Sequence, residues 1–227
     1  MFQEPGASLN PVYTIGYQIR EVLELHRGLG RREAEEEAVR LLGATGIPDP
    51  EKRAKSYPFQ LSGGMRQRAA IAMAVSTHPK LLIADEPTTA LDVTVQAEIP
   101  DLLRALQGEH RMAVLIITHD LGVVAQIAQR VLVMSAGKFV ESAPVEDLFS
   151  APKHPYTQGL LESVRRRTDR SVPLRGIPGS VPDLFPLPSG CSFHPRCALG
   201  DASCRSALPP MVALSSDHSC ACYKVER

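Results

Sequence analysis

Three short apolar runs limit most tightly what this chain can fold into: 80–84 (Lys-Leu-Leu-Ile-Ala), 113–117 (Ala-Val-Leu-Ile-Ile) and 130–134 (Arg-Val-Leu-Val-Met). Each has the length of a strand, and stretches of helical spacing at 94–108 and 121–128 separate them. Strands that are apolar throughout and alternate with helices predict an α/β fold, with a parallel sheet covered on both faces. Upstream, Ile15, Ile19, Val22, Leu23 and Leu29 share one helical face over 15–29, and Ala34, Ala38, Leu41 and Leu42 share another over 32–44. The outer face of the second helix, Glu33, Glu35, Glu36 and Glu37, reads as a solvated acidic surface. A helix over 64–76, a strand near 138–141 and helices near 145–149 and 155–166 complete the pattern. Pro100 falls inside the 94–108 helix, where it removes a backbone hydrogen bond and is expected to kink it or cost about 3 kcal/mol.

Charge narrows the function. Lys+Arg and Asp+Glu both number 25, so the molecule as a whole attracts neither nucleic acid nor anionic lipid. No run of 18 apolar residues occurs, and the first residues lack the basic and apolar regions of a secretory signal. The expectation is a protein in a reducing compartment. Its five cysteines, all beyond residue 190, then suit metal or iron–sulfur ligation better than disulfides.

Three constellations carry chemistry. Leu82-Ile83-Ala84-Asp85-Glu86-Pro87 ends a buried strand in two acids, delivered to the carboxyl edge of the sheet where α/β proteins bind ligands. There one acid can hold Mg²⁺ and the other can orient water, although solvated acids in a turn would look the same. Leu61-Ser62-Gly63-Gly64 sets a hydroxyl and two glycines directly before a helix, either a phosphate-binding N-terminus or a plain Ser cap with a Gly turn. Ile117-Thr118-His119-Asp120 ends the next strand and aims His119 at the same edge.

Taken together, these strings resemble an ABC transporter ATP-binding subunit. Leu61 to Arg68 is similar to the signature motif, and Leu81 to Asp92 to the Walker B strand running into the D-loop. Ile117 to Asp120 resembles the switch histidine, and Phe2-Gln3-Glu4-Pro5 the Q-loop. The resemblance implies a P-loop NTPase core, here partial, with a parallel sheet, a helical subdomain and a Cys-rich extension. The corresponding division is 1–60, 61–150 and 151–227. It implies ATP and Mg²⁺ as cofactors: Asp85 on Mg²⁺, Glu86 as the carboxylate that polarises water, His119 at the γ-phosphate, and Gln3 on Mg²⁺ or that water. Asp92 would lie at a dimer seam, and Ser62, Gly63 and Gly64 would meet ATP held by an opposing subunit, identical or paralogous. Two transmembrane permease subunits, and indirectly a solute-binding protein, are the further partners, with the chain peripheral on the cytoplasmic face of the inner membrane. Nucleic acid is not expected, and the long coiled-coil insertion of DNA-repair relatives is missing.

The family's phosphate loop, Gly-x-x-x-x-Gly-Lys-Ser/Thr, does not occur in these residues. The expectation is a chain that begins after that loop and does not hydrolyse ATP alone. The alternative is a degenerate cassette with a regulatory or metal-binding role. Ala7-Ser8-Leu9-Asn10-Pro11, Lys153-His154-Pro155-Tyr156-Thr157, Ile177 to Leu184 and Gly190 to Cys197 resemble the oligopeptide/dipeptide/nickel importer branch. Pro173, Pro178, Pro182, Pro186 and Pro188 predict an extended connection into the tail at 190–227. Cys191, Cys197, Cys204 and Cys222 stand as C-x5-C-x6-C-x17-C. Four thiolates can ligate a 4Fe–4S cluster, as some relatives in this branch do, or zinc, with His194 and His218 as fallback ligands. Free thiols are the remaining option, since no pair has the tight C-x2-C spacing.

Overall fold

Ala136 and Gly137 both adopt positive φ (46° and 75°), and that two-residue turn decides how the third apolar run pairs. Such a turn reverses the chain directly, so β3 (Arg130–Ser135) folds back antiparallel on β4 (Lys138–Pro144). The run at 130–134 is therefore not a third strand of the parallel sheet. Apolar patterning predicts a strand but is blind to its direction, which the turn alone fixes.

The computed structural model describes residues 1, 8–89, 91–168, 176–182 and 185–225, which form two compact units, Met1–Val123 and Val124–Arg227. In the first unit, α1 (Ile15–Arg27) is capped by the Thr14 hydroxyl, which accepts from Tyr17 N, and stops at Gly28 with φ 67°. It buries Ile15, Ile19 and Leu23 beside Ala34, Ala38, Leu41 and Leu42 of α2 (Arg31–Ala44). The acidic face of α2 is not merely solvated. Glu35 meets Arg20 and Arg31, while Glu37 accepts from Arg27 at 2.9 Å and, bidentately, from Nε and Nη2 of Arg40. Arg40 foremost, with Arg27, pulls the Glu37 carboxyl down to about 2 against the opposing effect of burial. A short helix, α3 (Pro50–Ala54), and a 3₁₀ turn at Pro58–Gln60 lead into α4 (Gly63–Val75).

The first unit's sheet is β1 (Leu81–Asp85) beside β2 (Ala113–Ile117), parallel and in register from Leu81↔Ala113 to Asp85↔Ile117. The long α5 (Val93–His110) crosses between them and runs unbroken through Pro100. Leu82 and Ala84 are buried, whereas Leu81, Ile83, Leu115 and Ile117 stand about half exposed at 51, 46, 45 and 49 %. The expectation of a sheet covered on both faces thus holds for one face among the described residues. An all-apolar run supplies a surface for a second layer but cannot create one. On β1 the first residue contributes too: the Met1 amino group donates to Ile83 O at 2.8 Å, and Asp85 N donates to Met1 O at 3.3 Å.

After α6 (Leu121–Ile127), the second unit holds a four-stranded antiparallel sheet in the order β3-β4-β6-β5, with β5 Val212–Ala213 and β6 Ser219–Cys220. Helix α7 (Val145–Ser150) packs against β3 and β4, and the unit also holds α8 (Pro155–Thr168) and α9 (Ala202–Ser206). Gln3, Pro173, Asp183 and Leu184 lie outside the described residues.

Candidate functional site

Parallel pairing of β1 and β2 puts the residues that follow each strand on one rim. Asp85 is paired with Ile117 at the last rung, and Glu86 N then donates to Ile117 O at 2.8 Å. Glu86 turns out of the strand at φ 44°, a backbone region that side chains other than glycine rarely occupy. The turn is closed by Thr89 N donating to Glu86 O and Thr89 Oγ1 donating to Glu86 Oε2 at 2.7 Å. The other carboxylate oxygen lies 3.1 Å from Nδ1 of His119. His119 itself rides on a self-bracing turn: Thr118 Oγ1 accepts from Asp120 N, and Asp120 Oδ1 accepts from Gly122 N at 2.7 Å. The His119 side chain is 78 % exposed and that of Glu86 only 23 %, so the carboxylate is sheltered while the imidazole faces outward. Asp85 is half-buried, with no hydrogen bond or ion pair to its carboxylate among the described residues. A half-buried carboxylate, a second one braced by a hydroxyl, and an exposed imidazole can jointly handle a cation, a water and an anionic group.

A second grouping surrounds the start of α4. Ser62 is its N-cap, exposed, with Oγ accepting from Met65 N at 3.3 Å. Asp92 caps α5 in the same way, Oδ1 accepting from Val95 N at 3.0 Å. The two helix starts touch: a Cβ at Gly64 would lie 2.7 Å from Val95 Cγ1, and one at Gly63 would lie 3.6 Å from Leu91 Cδ2. Arg68 of α4 fastens this corner, donating to Thr45 O at 2.8 Å and pairing with Glu98 of α5 at 2.6 Å. Asp85, Glu86 and His119 therefore share the sheet rim, and Ser62, Gly63, Gly64 and Asp92 share the helix-start corner.

Both terminal segments of the chain match known families: ABC transporter over residues 1–89, and the oligopeptide/dipeptide transporter C-terminal region over 140–204. A putative peptide import ATP-binding protein of Brucella melitensis is 57 % identical over 230 residues, spanning 99 % of this chain and 68 % of that protein. The chain belongs to the oligopeptide/dipeptide ABC transporter ATP-binding family. Members of this family are ATPases that use ATP and Mg²⁺. The oligopeptide transport ATP-binding protein OppD of Salmonella typhimurium is 51 % identical over 224 residues (99 % of this chain, 67 % of that one). The dipeptide transport ATP-binding protein DppD of Escherichia coli is 46 % identical over 223 residues (98 % and 68 %). The dimeric, ADP- and Pi-bound cassette MJ0796 superposes with a TM-score of 0.56 at 29 % identity, covering 63 % of this chain and 61 % of that one. Likeness to these importer subunits favours the transporter reading over the degenerate-cassette alternative.

This importer-family chain has a third grouping, in the second unit. Cys191, Cys197, Cys204 and Cys222 line one cavity of about 10 Å³, together with His154, Phe193 and His194. Gly190, at φ 69°, lets Cys191 N reach Cys204 O at 2.8 Å; a Cβ there would sit 2.4 Å from that oxygen. Backbone N–H groups two and three residues on face three of the sulfurs: Phe193 and His194 for Cys191, Leu199 and Gly200 for Cys197, Lys224 and Val225 for Cys222. Burial raises these thiols above their ordinary range, and the amides partly offset it. Cys220 is set apart: burial first, then the Glu141 charge, pushes its thiol up to about 12. Among the described residues no three Cys, His, Asp or Glu donors converge at the spacing of ligands on one ion. The donor chemistry fits a soft metal; the spacing as it stands is that of free thiols around a narrow chamber.

Sequence reasoning missed one constellation. Glu141 of β4, fully buried, accepts from Lys153 N at 2.7 Å and His154 N at 3.0 Å, and meets His218 Nε2 at 2.8 Å. A lone acid amid β4's apolar residues was the available signal, since a carboxylate is almost never fully buried without partners.

Proposed function

We propose that the chain is the ATP-binding, energy-coupling part of an ABC importer for peptides or related small solutes. The observation that carries this reading is the 3.1 Å approach of Glu86 to His119 on the rim of two parallel strands, beside Asp85. In this role Asp85 holds Mg²⁺, Glu86 polarises the attacking water, His119 approaches the γ-phosphate, and Gln3 reaches Mg²⁺ or the water from the Q-loop. The exposed helix-start corner of Ser62, Gly63 and Gly64 serves the γ-phosphate of ATP on an opposing subunit, because backbone N–H groups at a helix start favour anions. Asp92 lies at that seam. The partners are a second ATPase subunit, identical or paralogous, and two permease subunits fed by a solute-binding protein. No described helix is long and apolar enough to cross a membrane, in keeping with peripheral docking on the cytoplasmic face of the inner membrane. Segments 1–60, 61–150 and 151–227 then act as coupling, catalytic and extension regions.

The test is Glu86→Gln in the complete transporter. It should still bind ATP, but turnover should fall by about 10²–10⁴, the usual worth of a positioned base. Unchanged hydrolysis would assign the wrong carboxylate.

For the extension, we propose that Cys191, Cys197, Cys204 and Cys222 hold a soft metal group, a 4Fe–4S cluster or tetrahedral zinc. Backbone N–H groups aimed at sulfur favour thiolate and thereby metal binding. Anaerobic purification followed by metal analysis decides. Iron near four per chain supports the cluster, zinc near one per chain supports the mononuclear site, and neither metal ends the reading.

A further inference from the structure

We infer that Thr89 is a positioning residue for ATP hydrolysis: its hydroxyl holds one oxygen of the Glu86 carboxylate and so selects the other, Oε1, to polarise the attacking water. This role rests on the reading of Glu86 given above.

Glu86 leaves β1 at φ 44°, a conformation that its own side chain disfavours, so the surrounding contacts must hold it there. Glu86 N donates to Ile117 O at 2.8 Å, which ties the residue to the end of β2. Thr89 N donates to Glu86 O at 3.1 Å and closes the turn. Gln96, near the start of α5, donates from Nε2 to Thr88 O at 3.0 Å and anchors the main chain beside Thr89. Thr88 itself is buried. The turn between Glu86 and Thr89 is thus pinned to β2 on one side and to α5 on the other.

From that turn the Thr89 hydroxyl donates to Glu86 Oε2 at 2.7 Å. An ionised carboxylate only accepts, so the hydroxyl proton lies toward Oε2, and the bond is of the strong, charge-assisted kind. Thr89 is β-branched, and its stiff χ1 keeps the hydroxyl on its course. With Oε2 held by Thr89, Oε1 is the oxygen turned to His119, 3.1 Å from Nδ1. The oxygen assigned to the water and the imidazole assigned to the γ-phosphate therefore stand side by side. A reacting group misplaced by about 1 Å can cost about 10²-fold in rate, so a bond that orients this carboxylate bears on turnover rather than on nucleotide affinity.

ATPase rates of the complete transporter are compared for wild type, Thr89→Val and Thr89→Ser, each alone and combined with Glu86→Gln. Val keeps the branched shape without the hydroxyl; Ser keeps the hydroxyl without the methyl. Thr89→Val should lower kcat about tenfold and leave KM for ATP within about twofold, because Thr89 acts through Glu86 and not on the nucleotide. Thr89→Ser should recover most of that rate. In the Glu86→Gln background, read in single turnovers, Thr89→Val should cause no further loss, since the group it positions is gone. Wild-type kcat in Thr89→Val overturns the role of Thr89. So does equal loss in Val and Ser, which marks packing of the methyl, or a comparable loss that persists beside Glu86→Gln. Normal hydrolysis by Glu86→Gln alone would instead overturn the reading of Glu86 itself, and the role of Thr89 with it.

Discussion

Gly64→Ala is the sharpest probe of the corner where the starts of α4 and α5 meet. The added methyl would lie 2.7 Å from Cγ1 of Val95, 3.2 Å from Cγ2 and 3.5 Å from Cβ. Favourable carbon contacts begin near 3.5 Å, so the closest pair overlaps by about 0.8 Å. Val95 gives way poorly, because a β-branched side chain inside a helix has one strongly preferred rotamer. Either that rotamer changes or the first turns of α4 and α5 part, at the usual overpacking cost of about 1–3 kcal/mol. Against this, alanine replaces glycine in a helix, a gain of up to about 1 kcal/mol. The net expectation is a loss of about 1 kcal/mol, a fall in Tm of about 2–4 °C for a chain this long. Urea or thermal unfolding of Gly64→Ala, Val95→Ala and the double variant reads the coupling directly. With Val95 trimmed the overlap disappears, so the double variant should be more stable than the sum of the singles by about 1–2 kcal/mol. Additivity within about 0.5 kcal/mol, or a Gly64→Ala protein more stable than wild type, would refute the contact and with it the juxtaposition of Ser62 and Asp92.

Two further outcomes follow from the ionisable groups. Glu141→Ala strips the acceptor from Lys153 N, His154 N and His218 Nε2 and should cost about 3–5 kcal/mol in urea unfolding, since each buried donor left unmade costs about 1–3 kcal/mol. Stability should also fall in mild acid because of His78, whose Nδ1 lies 3.2 Å from Nδ1 of His110. Burial first, then Arg27, His110 and Arg40, with Glu37 opposing, hold the His78 pKa below its usual value. The unfolded chain therefore takes up the proton first. Stability is complete above about pH 6.5, declines as pH drops below it, and stops declining once the folded form also binds the proton. His78→Asn, which suits the φ of 50° there, should flatten the urea midpoint between about pH 5 and pH 8; an unchanged slope counts against the His78 contribution.

Much of the first unit was legible because its signals are local. The helices predicted over 32–44, 64–76 and 94–108 appear as Arg31–Ala44, Gly63–Val75 and Val93–His110, and 15–29 ends two residues early, where Gly28 takes the left-handed conformation. The strand ends carrying Asp85, Glu86 and His119 were equally plain, since apolar runs stop where polar residues begin. Pairing direction was not legible at 130–134, because nothing in an apolar run states it; the Ala136-Gly137 turn did, and Ala-Gly is a weak hairpin signal beside Asn-Gly. The acidic face of α2 looked solvated because its arginine partners Arg20 and Arg27 belong to another helix, beyond the reach of a periodicity argument. The Glu141 node was the hardest to see. Its ligands come from 12, 13 and 77 residues away, a distance over which a single sequence offers no pairing rule.

The interleaved strand order of the second unit has a consequence for synthesis in the cell. β6, at Ser219–Cys220, slots between β4 and β5, so the sheet cannot close until the ribosome has released almost the last of the described residues. Until then β4 presents an open hydrogen-bonding edge, and Glu141 waits for His218. A nascent chain stalled or clipped near residue 210 should therefore be a substrate for chaperones and proteases, however well its first unit has already folded.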